Sequence, residues 1–180
     1  MEVEVGGVRV RFISWPEAIE LSERLGRQIL DSGFKPEIIL AVSRGGLVPA
    51  RIISDVLDVD NIVAMAVKYW AVAERRAERP IIYHGVEPSV VGGRKVLVVD
   101  EVADTGATLK LIIDLLNVMG AAEVKTAVLH LKSTSRFMPD YYAETITEWV
   151  WVSYPWSRWE DYREFKRRGY DISKYIDKIC

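Results

Sequence analysis

The chain has 180 residues, a formal net charge of −2 and 49% hydrophobic residues, which suits one folded domain over residues 1–180 and excludes a disordered chain. A net charge this close to zero argues against bulk nucleic-acid binding, and no apolar run reaches the roughly 20 residues of a membrane span. The single cysteine, Cys180, excludes an internal disulfide, and the Glu-Val-Glu start lacks a signal-peptide pattern, so we expect a cytoplasmic protein.

The N-terminal part of the chain predicts a hairpin followed by a helix. Residues 3–13 alternate around a Gly-Gly pair, as a hairpin or an edge strand would. A Ser-Trp-Pro-Glu sequence is typical of a helix start, with Ser14 as the N-cap and Glu17 closing a capping box. We expect this helix to run to about Leu30.

A strand, a glycine loop and a helix come next. Residues 37–42, Glu-Ile-Ile-Leu-Ala-Val, are apolar after the first position, which is typical of a strand buried in a parallel sheet. The loop Ser43-Arg44-Gly45-Gly46 follows, and then a helix through about Leu57. The backbone N–H groups and the Arg44 guanidinium of such a loop can hold a diphosphate. A tight turn that needs glycine only for its backbone is the alternative.

A third strand is predicted over residues 61–70, with Lys68 and Tyr69 at its carboxyl end. Residues 71–80 are charged and lack apolar periodicity, which predicts a mobile loop or ribbon. Such a segment can close over an active site and exclude water, while a solvated hairpin is the alternative. Residues 81–83 predict the returning strand.

The fourth predicted strand leads into a dense group of polar side chains. Residues 96–99 are apolar, Asp100 and Glu101 follow at the carboxyl end, and residues 104–108 form a small-residue loop before a helix. The N–H groups and hydroxyls of this loop lie at a helix N-terminus and favour an anion, and Gly106 lets a phosphate approach the backbone. The paired acids can bind vicinal hydroxyls directly or through Mg²⁺, which prefers oxygen ligands.

A further strand is predicted over residues 123–132. Its last residue, Lys132, should reach the same sheet edge as Lys68, because both residues end strands of the predicted parallel sheet. An ammonium group at that edge can donate a hydrogen bond to a carbonyl oxygen of a substrate.

The C-terminal region predicts a turn over residues 138–142 and a last strand over residues 145–153, which holds Trp149 and Trp151. Side chains two residues apart on a strand point the same way, so the pair suits a core or an interface. It also suits a flat ring for a planar base, where stacking contributes about 1–3 kcal/mol per base. Residues 157–180 predict one or two short surface helices.

Two of these loops resemble a known family. Asp-Glu-Val-Ala-Asp-Thr-Gly-Ala-Thr, residues 100–108, resembles the phosphoribosyl-pyrophosphate signature of type I phosphoribosyltransferases, and residues 43–49 resemble the pyrophosphate loop of the xanthine-guanine enzymes. The resemblance covers about residues 13–156. It implies an α/β fold with a doubly wound, mainly parallel sheet. It also implies a core over about residues 13–135, and a small hood from the N-terminal strand and the C-terminal region, with base-binding residues within about 136–180.

The resemblance also implies a role for each matched residue. Asp100 and Glu101 would bind the ribose hydroxyls and Mg²⁺, the expected cofactor. Asp104 would be the general base, or would only position the purine, and the peptide in the pyrophosphate loop would be cis. Three groups of binding residues are implied: Asp104, Thr105, Gly106, Ala107 and Thr108 for the 5′-phosphate; Ser43, Arg44, Gly45, Gly46, Lys68 and Tyr69 for pyrophosphate; and Lys132 (6-oxo group), Trp151 (stacking) and Val152 (backbone) for the base.

The implied activity is that of a magnesium-dependent pentosyltransferase for purine salvage. It would move ribose 5-phosphate from phosphoribosyl pyrophosphate to a 6-oxopurine (guanine, hypoxanthine or xanthine) and release pyrophosphate. The alternatives are an enzyme for adenine or orotate and a phosphoribosyl-pyrophosphate-sensing regulator that binds nucleic acid. We expect a homodimer or homotetramer. Only Gln28, Asn61 and Asn117 carry side-chain amides, which fits a thermophilic source.

Overall fold

The computed structural model describes residues 1–70 and 76–176, with the side chains of residues 69, 70 and 76–79 left out. The elements in chain order are β1 (Glu2–Val5), β2 (Val8–Phe12), α1 (Trp15–Asp31), β3 (Ile38–Ser43), α2 (Leu47–Leu57), β4 (Ile62–Trp70), β5 (Arg76–His84), α3 (Pro88–Val91), β6 (Lys95–Ala103), α4 (Ala107–Val118), β7 (Glu123–Lys132), β8 (Tyr141–Ile146), β9 (Trp151–Ser153), α5 (Arg158–Arg167) and α6 (Ser173–Ile176). No helix in these ranges is long and apolar enough to cross a membrane.

Within the described residues, six strands form the main sheet in the order β5-β4-β3-β6-β7-β8. Neighbouring strands run parallel except at the edge, where β5 pairs antiparallel with β4. The chain moves outward from β3 to β4 on one side and from β6 to β7 and β8 on the other. The strand order therefore reverses between β3 and β6, and ligands bind at such a switch point in open α/β sheets. The predicted α/β fold is confirmed.

Residues 38–42 of β3 and residues 96–99 of β6 are continuously apolar, as is typical of strands that are covered on both faces. Alternate residues of β3 and β6 enter two different clusters. The cluster under α1 and α2 includes Ile39, Ala41, Leu97 and Val99. The cluster under α4 includes Ile38, Leu40, Val96 and Val98. Burying these side chains, at about 25 cal/mol per Å² of apolar area, fixes the strand ends that carry the site.

A second, three-stranded sheet of the described chain has the order β1-β2-β9 and carries its own apolar cluster. The cluster joins Val10 and Phe12 of the N-terminal hairpin to Phe165 of α5 and to Ile172 and Ile176. The chain turns between β1 and β2 at the predicted Gly-Gly pair, where both glycines have positive φ. This unit is the small hood that the resemblance implied.

Three local expectations were wrong. Residues 145–153 are not one strand, because β8 ends at Ile146 in the main sheet and β9 belongs to the hood sheet. The predicted turn over residues 138–142 ends earlier, because Tyr141 already pairs in β8. Ser14 does cap α1 by accepting from the Glu17 N–H at 3.3 Å. The Glu17 carboxylate, however, pairs with Arg11 at 2.9 Å, and no described contact closes the capping box.

The segment predicted as a mobile loop, residues 71–80, is only partly described. Residues 71–75 lie outside the described chain, and β5 already begins at Arg76 rather than at residue 81. Its antiparallel pairing with β4 favours the hairpin over an open loop for residues 76–80. The closing role of residues 71–80 stays a prediction, as does the single domain over residues 1–180 with its core and hood boundaries.

Candidate active site

Two adjoining cavities lie beside the carboxyl ends of β3 and β6 in the described chain. One has a volume of about 570 Å³ and the other about 780 Å³. Asp104, Thr105 and Gly106 line both of them, so the loop between β6 and α4 stands between the two spaces. The site therefore has a smaller and a larger compartment with one shared wall.

The acid pair of β6 lines the larger cavity, as predicted. Burial raises the pKa of Asp100 well above its usual range, and the Glu101 charge adds to this shift. Burial likewise raises the pKa of Glu101. Glu101 Oε2 accepts no hydrogen bond from any described residue. A buried carboxylate oxygen without a donor suits a cation or a substrate hydroxyl, so these oxygen ligands fit Mg²⁺.

The predicted pyrophosphate loop lies on the same cavity, with Ser43, Arg44 and Gly45 in its lining together with Lys68. The Ser43–Arg44 peptide bond is cis, as the resemblance implied. A Cβ on Gly45 would overlap the Glu101 carboxylate, so glycine is what allows this loop to approach the acid pair. The side chain of Tyr69 lies outside the described residues.

Gly46 lies at the back of the predicted pyrophosphate loop, and its predicted contact with pyrophosphate stays a prediction. Its N–H donates to the Val42 carbonyl at 2.8 Å, and a Cβ there would overlap the Val99 carbonyl oxygen. This glycine allows α2 to begin close against β6. It shapes the loop from behind and is not among the described residues that line the cavities.

The predicted phosphate loop, residues 104–108, leads into a helix end without a side-chain cap. The N-cap of α4 is Gly106, at φ 77°, and it makes no side-chain cap bond. Among the described residues, the first N–H groups of α4 thus make one long contact, from Ala107 N to Thr105 Oγ1 at 3.4 Å. Open N–H donors at the positive end of a helix dipole bind phosphate. Gly106 is required for its left-handed backbone and because a Cβ would clash with Phe137.

Asp104 lines both cavities, and Lys132 lies next to it without being among the described residues that line either cavity. Lys132 is buried, and its Nζ lies 3.5 Å from Asp104 Oδ1. Thr134 holds the aspartate from the other side, because its hydroxyl donates to the Asp104 carbonyl at 2.9 Å and lies 3.2 Å from Oδ1. This places one hydrogen-bond donor and one proton acceptor side by side, next to the phosphate loop.

The stacking role predicted for Trp151 stays a prediction, and the structure places its ring on the side of the hood. The Trp151 Nε1–H donates to Asp161 at 3.0 Å, and its ring packs edge-on against Phe165 inside the hood cluster. Trp149 lines the smaller cavity instead, with 52% of its surface exposed and its ring centroid 6.0 Å from Lys132 Nζ. The two rings do not point the same way, because Trp149 precedes β9 and is not on a strand.

Val152, whose backbone is predicted to contact the base, lies in β9 of the hood sheet. Its backbone pairs in register with Arg11 in the hood sheet. Its side chain packs against the main core and is not among the described residues lining either cavity. The contact stays a prediction.

Two groups of residues at the site escaped the sequence analysis. Tyr154 is buried, donates to the Glu101 carbonyl at 2.8 Å and bonds His130 Nδ1 at 2.7 Å, so it braces the acid pair from below. Trp159 and Glu160 of α5 line the larger cavity. A Tyr-Pro-Trp sequence followed by a charged helix carries no signal for either contact.

Three comparisons with known proteins agree on the kind of protein this chain resembles. Residues 12–159 match the family described as phosphoribosyl transferase domain. A xanthine-guanine phosphoribosyltransferase of Idiomarina loihiensis is 30% identical over 145 residues, which is 81% of this chain and 85% of that protein. A purine phosphoribosyltransferase structure from Pyrococcus horikoshii superposes with a TM-score of 0.70 at 29% identity, covering 82% of this chain and 93% of that chain.

A third similar structure carries a ligand. It is a hypothetical protein from Neisseria gonorrhoeae with bound ppGpp, and it superposes with a TM-score of 0.71 at 25% identity. The match covers 88% of this chain and 97% of that chain.

Proposed function

Because this chain belongs to the phosphoribosyltransferase family, we propose that it transfers ribose 5-phosphate from phosphoribosyl pyrophosphate to a 6-oxopurine, in purine salvage. The observation that carries the proposal is the buried Lys132 beside Asp104 at an uncapped phosphate loop. The names of the Idiomarina and Pyrococcus relatives support it. The ppGpp in the Neisseria structure also supports it, because that ligand joins a guanine base to diphosphates.

Lys132, as a hydrogen-bond donor, and Asp104, as a proton acceptor, together select the base. The Lys132 ammonium only donates, so it suits the 6-oxo group of guanine, hypoxanthine or xanthine and opposes the 6-amino group of adenine. Asp104 accepts the proton of the ring nitrogen that forms the new bond. Trp149 gives the purine a flat surface in the smaller cavity.

The chemical step breaks one C–O bond and forms one C–N bond. The bonding pair leaves the anomeric carbon with the diphosphate, and the purine nitrogen supplies the new pair as its proton passes to Asp104. Arg44, Lys68 and the N–H groups of the cis loop stabilise the charge that develops on the leaving group. The open end of α4 holds the 5′-phosphate, which anchors the ribose between the two cavities.

Asp100 and Glu101 would hold Mg²⁺ together with the ribose hydroxyls, since Glu101 Oε2 has no donor among the described residues. When bound, the ion supplies positive charge to the diphosphate. No group of three or more His, Cys, Asp or Glu side chains in the described chain could hold a metal. Substrate and water oxygens would therefore complete its coordination. A cytoplasmic location, a thermophilic source and a homodimer or homotetramer also belong to the proposal.

The test is a nucleotide-forming assay with Mg²⁺ and phosphoribosyl pyrophosphate on guanine, hypoxanthine, xanthine, adenine and orotate. We expect product from 6-oxopurines only. We also expect Lys132→Ala to lower kcat/KM for guanine by about tenfold or more, because a hydrogen bond to a charged group contributes about 1.5–3 kcal/mol. Product from adenine or orotate alone, or unchanged guanine kinetics in Lys132→Ala, would contradict the assignment.

The regulator alternative has a separate test. A protein that binds nucleic acid through basic residues loses affinity steeply as salt rises. Retention on mixed RNA or DNA at low salt, together with no product from any base, would favour the regulator over the enzyme.

A further inference from the structure

The C-terminal helix α5 lines the larger cavity although the family match ends at residue 159. Glu160 and Arg163 of this helix share the cavity lining with Ser43, Arg44 and Lys68. The two residues are three positions apart, so they lie on the same side of the helix. The larger cavity is therefore closed in part by side chains that lie beyond the matched family domain.

Glu160 pairs with the cation of the pyrophosphate loop. Its Oε2 lies 2.5 Å from Arg44 Nη2, and the two side chains are 54% and 73% exposed. An exposed pair of this kind contributes only about 0.2–1 kcal/mol. A diphosphate offers Arg44 several charged oxygens and bidentate geometry, so it displaces the carboxylate. Glu160 thus competes with the ligand for the same guanidinium.

Arg163, on the same side of α5, adds a second guanidinium to the larger cavity. Among the side chains that the structure describes, no carboxylate lies within ion-pair distance of its guanidinium, whereas its neighbours Arg167 and Arg168 both pair with Glu164. The Arg163 side chain is exposed and contributes to the cavity lining. A free guanidinium at this position has its donors available for phosphate oxygens.

We propose that α5 supplies the second half of the diphosphate site, with Arg163 as a further binding residue and Glu160 as a counter-ion that returns to Arg44 when diphosphate leaves. This inference rests on the proposed function and deepens it. The apparent affinity for diphosphate equals the intrinsic affinity times the fraction of molecules in which Arg44 is free. Glu160 therefore weakens retention of the product and speeds its release.

Titration calorimetry of inorganic diphosphate with Mg²⁺ tests the proposal on four proteins. We expect Glu160→Gln to bind diphosphate about twofold to fivefold more tightly than the original protein, since it loses the competing pair. We expect Arg163→Gln to bind about tenfold more weakly or worse. The matched control is Glu164→Gln, which removes the same charge from α5 at a residue that pairs with Arg167 and Arg168, and it should not change the Kd.

Unchanged or weaker binding in Glu160→Gln, or unchanged binding in Arg163→Gln, would overturn the proposal. Equal tightening in Glu164→Gln would also overturn it, because the effect would then reflect net charge. The nucleotide-forming assay separates the two claims. An original protein that makes no nucleotide refutes the proposed function, whereas active variants with an unchanged inhibition constant for diphosphate refute only the role of α5.

Discussion

Asp104 and Lys132 lie 3.5 Å apart, yet one comes from the loop after β6 and the other ends β7. The two residues are close because β6 and β7 are parallel neighbours, in a register that pairs Ala103 with Leu131. Parallel strands end at the same sheet edge, so residues 28 positions apart in sequence become partners at the site. A single change at either position removes one half of the donor and acceptor pair.

Replacing Asp104 by asparagine tests the general base. Asp104→Asn retains the size of the side chain and a contact to Thr134 but cannot take a proton, so we expect kcat to fall by about 10²–10⁴. Binding of phosphoribosyl pyrophosphate should remain measurable by calorimetry. The control is Asp55→Asn on α2, an exposed residue paired with Arg51. Full activity of Asp104→Asn would leave this residue only a positioning role.

Replacing Trp149 and Trp151 in turn should affect different properties, base binding in one variant and stability in the other. Trp149→Ala removes an exposed ring from the smaller cavity, so the KM for guanine should rise about tenfold with little change in Tm. Trp151→Ala removes a ring from the hood cluster and a donor to Asp161, so the free energy of unfolding should fall by about 3 kcal/mol. Kinetics and thermal unfolding measure the two effects. A raised KM for guanine in Trp151→Ala, with an unchanged KM in Trp149→Ala, would identify Trp151 as the stacking residue.

At the scale of the element, the proposed phosphate loop depends on the glycine at which α4 begins. Gly106 provides a left-handed backbone, space for Phe137 and an N-terminus without a side-chain cap, all at one position. Arg136 N–H donates to the Thr105 carbonyl at 3.1 Å, which ties the loop to the segment after β7. The anion site is thus held by two neighbouring strand ends rather than by the loop alone.

An alanine at Gly106 should damage both the loop and the helix start. Gly106→Ala forces a positive φ on an L-residue, at about 1–2 kcal/mol, and adds the clash with Phe137. Gly120→Ala is the matched control, since Gly120 has φ 81° at the other end of α4 with open space around it. Both variants should lose stability in denaturant unfolding, Gly106→Ala more. Only Gly106→Ala should weaken binding of phosphoribosyl pyrophosphate, and equal losses would contradict this account of the loop.

At the scale of the whole molecule, two buried groups titrate in opposite senses. Burial, together with the Arg11 charge, lowers the pKa of His130 to about 4. Burial raises the pKa of Asp161 to about 6, although Ser153 and Trp151 donate hydrogen bonds to it. The folded state therefore holds fewer protons than the unfolded chain at His130 and more at Asp161. The contribution of His130 to the free energy of unfolding should therefore rise with pH, and the contribution of Asp161 should fall with pH.

This opposition predicts how variants change the pH dependence of Tm between about pH 4 and 6.5. The Asp100 and Glu101 pair, whose pKa values burial also raises, is common to all three proteins. Asp161→Asn removes the falling contribution of Asp161 alone, so Tm should rise more steeply with pH than in the original protein, or fall less steeply. His130→Gln removes the rising contribution, so Tm should fall with pH. Each group contributes about 3 kcal/mol over its window. Parallel Tm curves for the three proteins would show that neither group titrates as argued, whatever the absolute loss of stability.

The sequence by itself determined the central strands, the loops that follow β3 and β6 and the chemistry expected of the site. Continuous apolar runs marked strands buried on both faces, and the glycine-containing turns after β3 and β6 predicted anion loops, because these patterns depend on local backbone and burial. The acid pair and Lys132 were found in the same way, since side chains that follow parallel strands meet at one edge. These features need only local periodicity and strand direction.

Only the tertiary structure decided which side chains enter the cavities. Trp149 and Trp151 differ in sequence by two positions, and their roles depend on the switch from the main sheet to the hood sheet between them. Glu160 meets Arg44 across 116 residues, and Tyr154 braces Glu101 across 53. Contacts of this range depend on how the hood packs against the sheet, and no local pattern of residues encodes that packing.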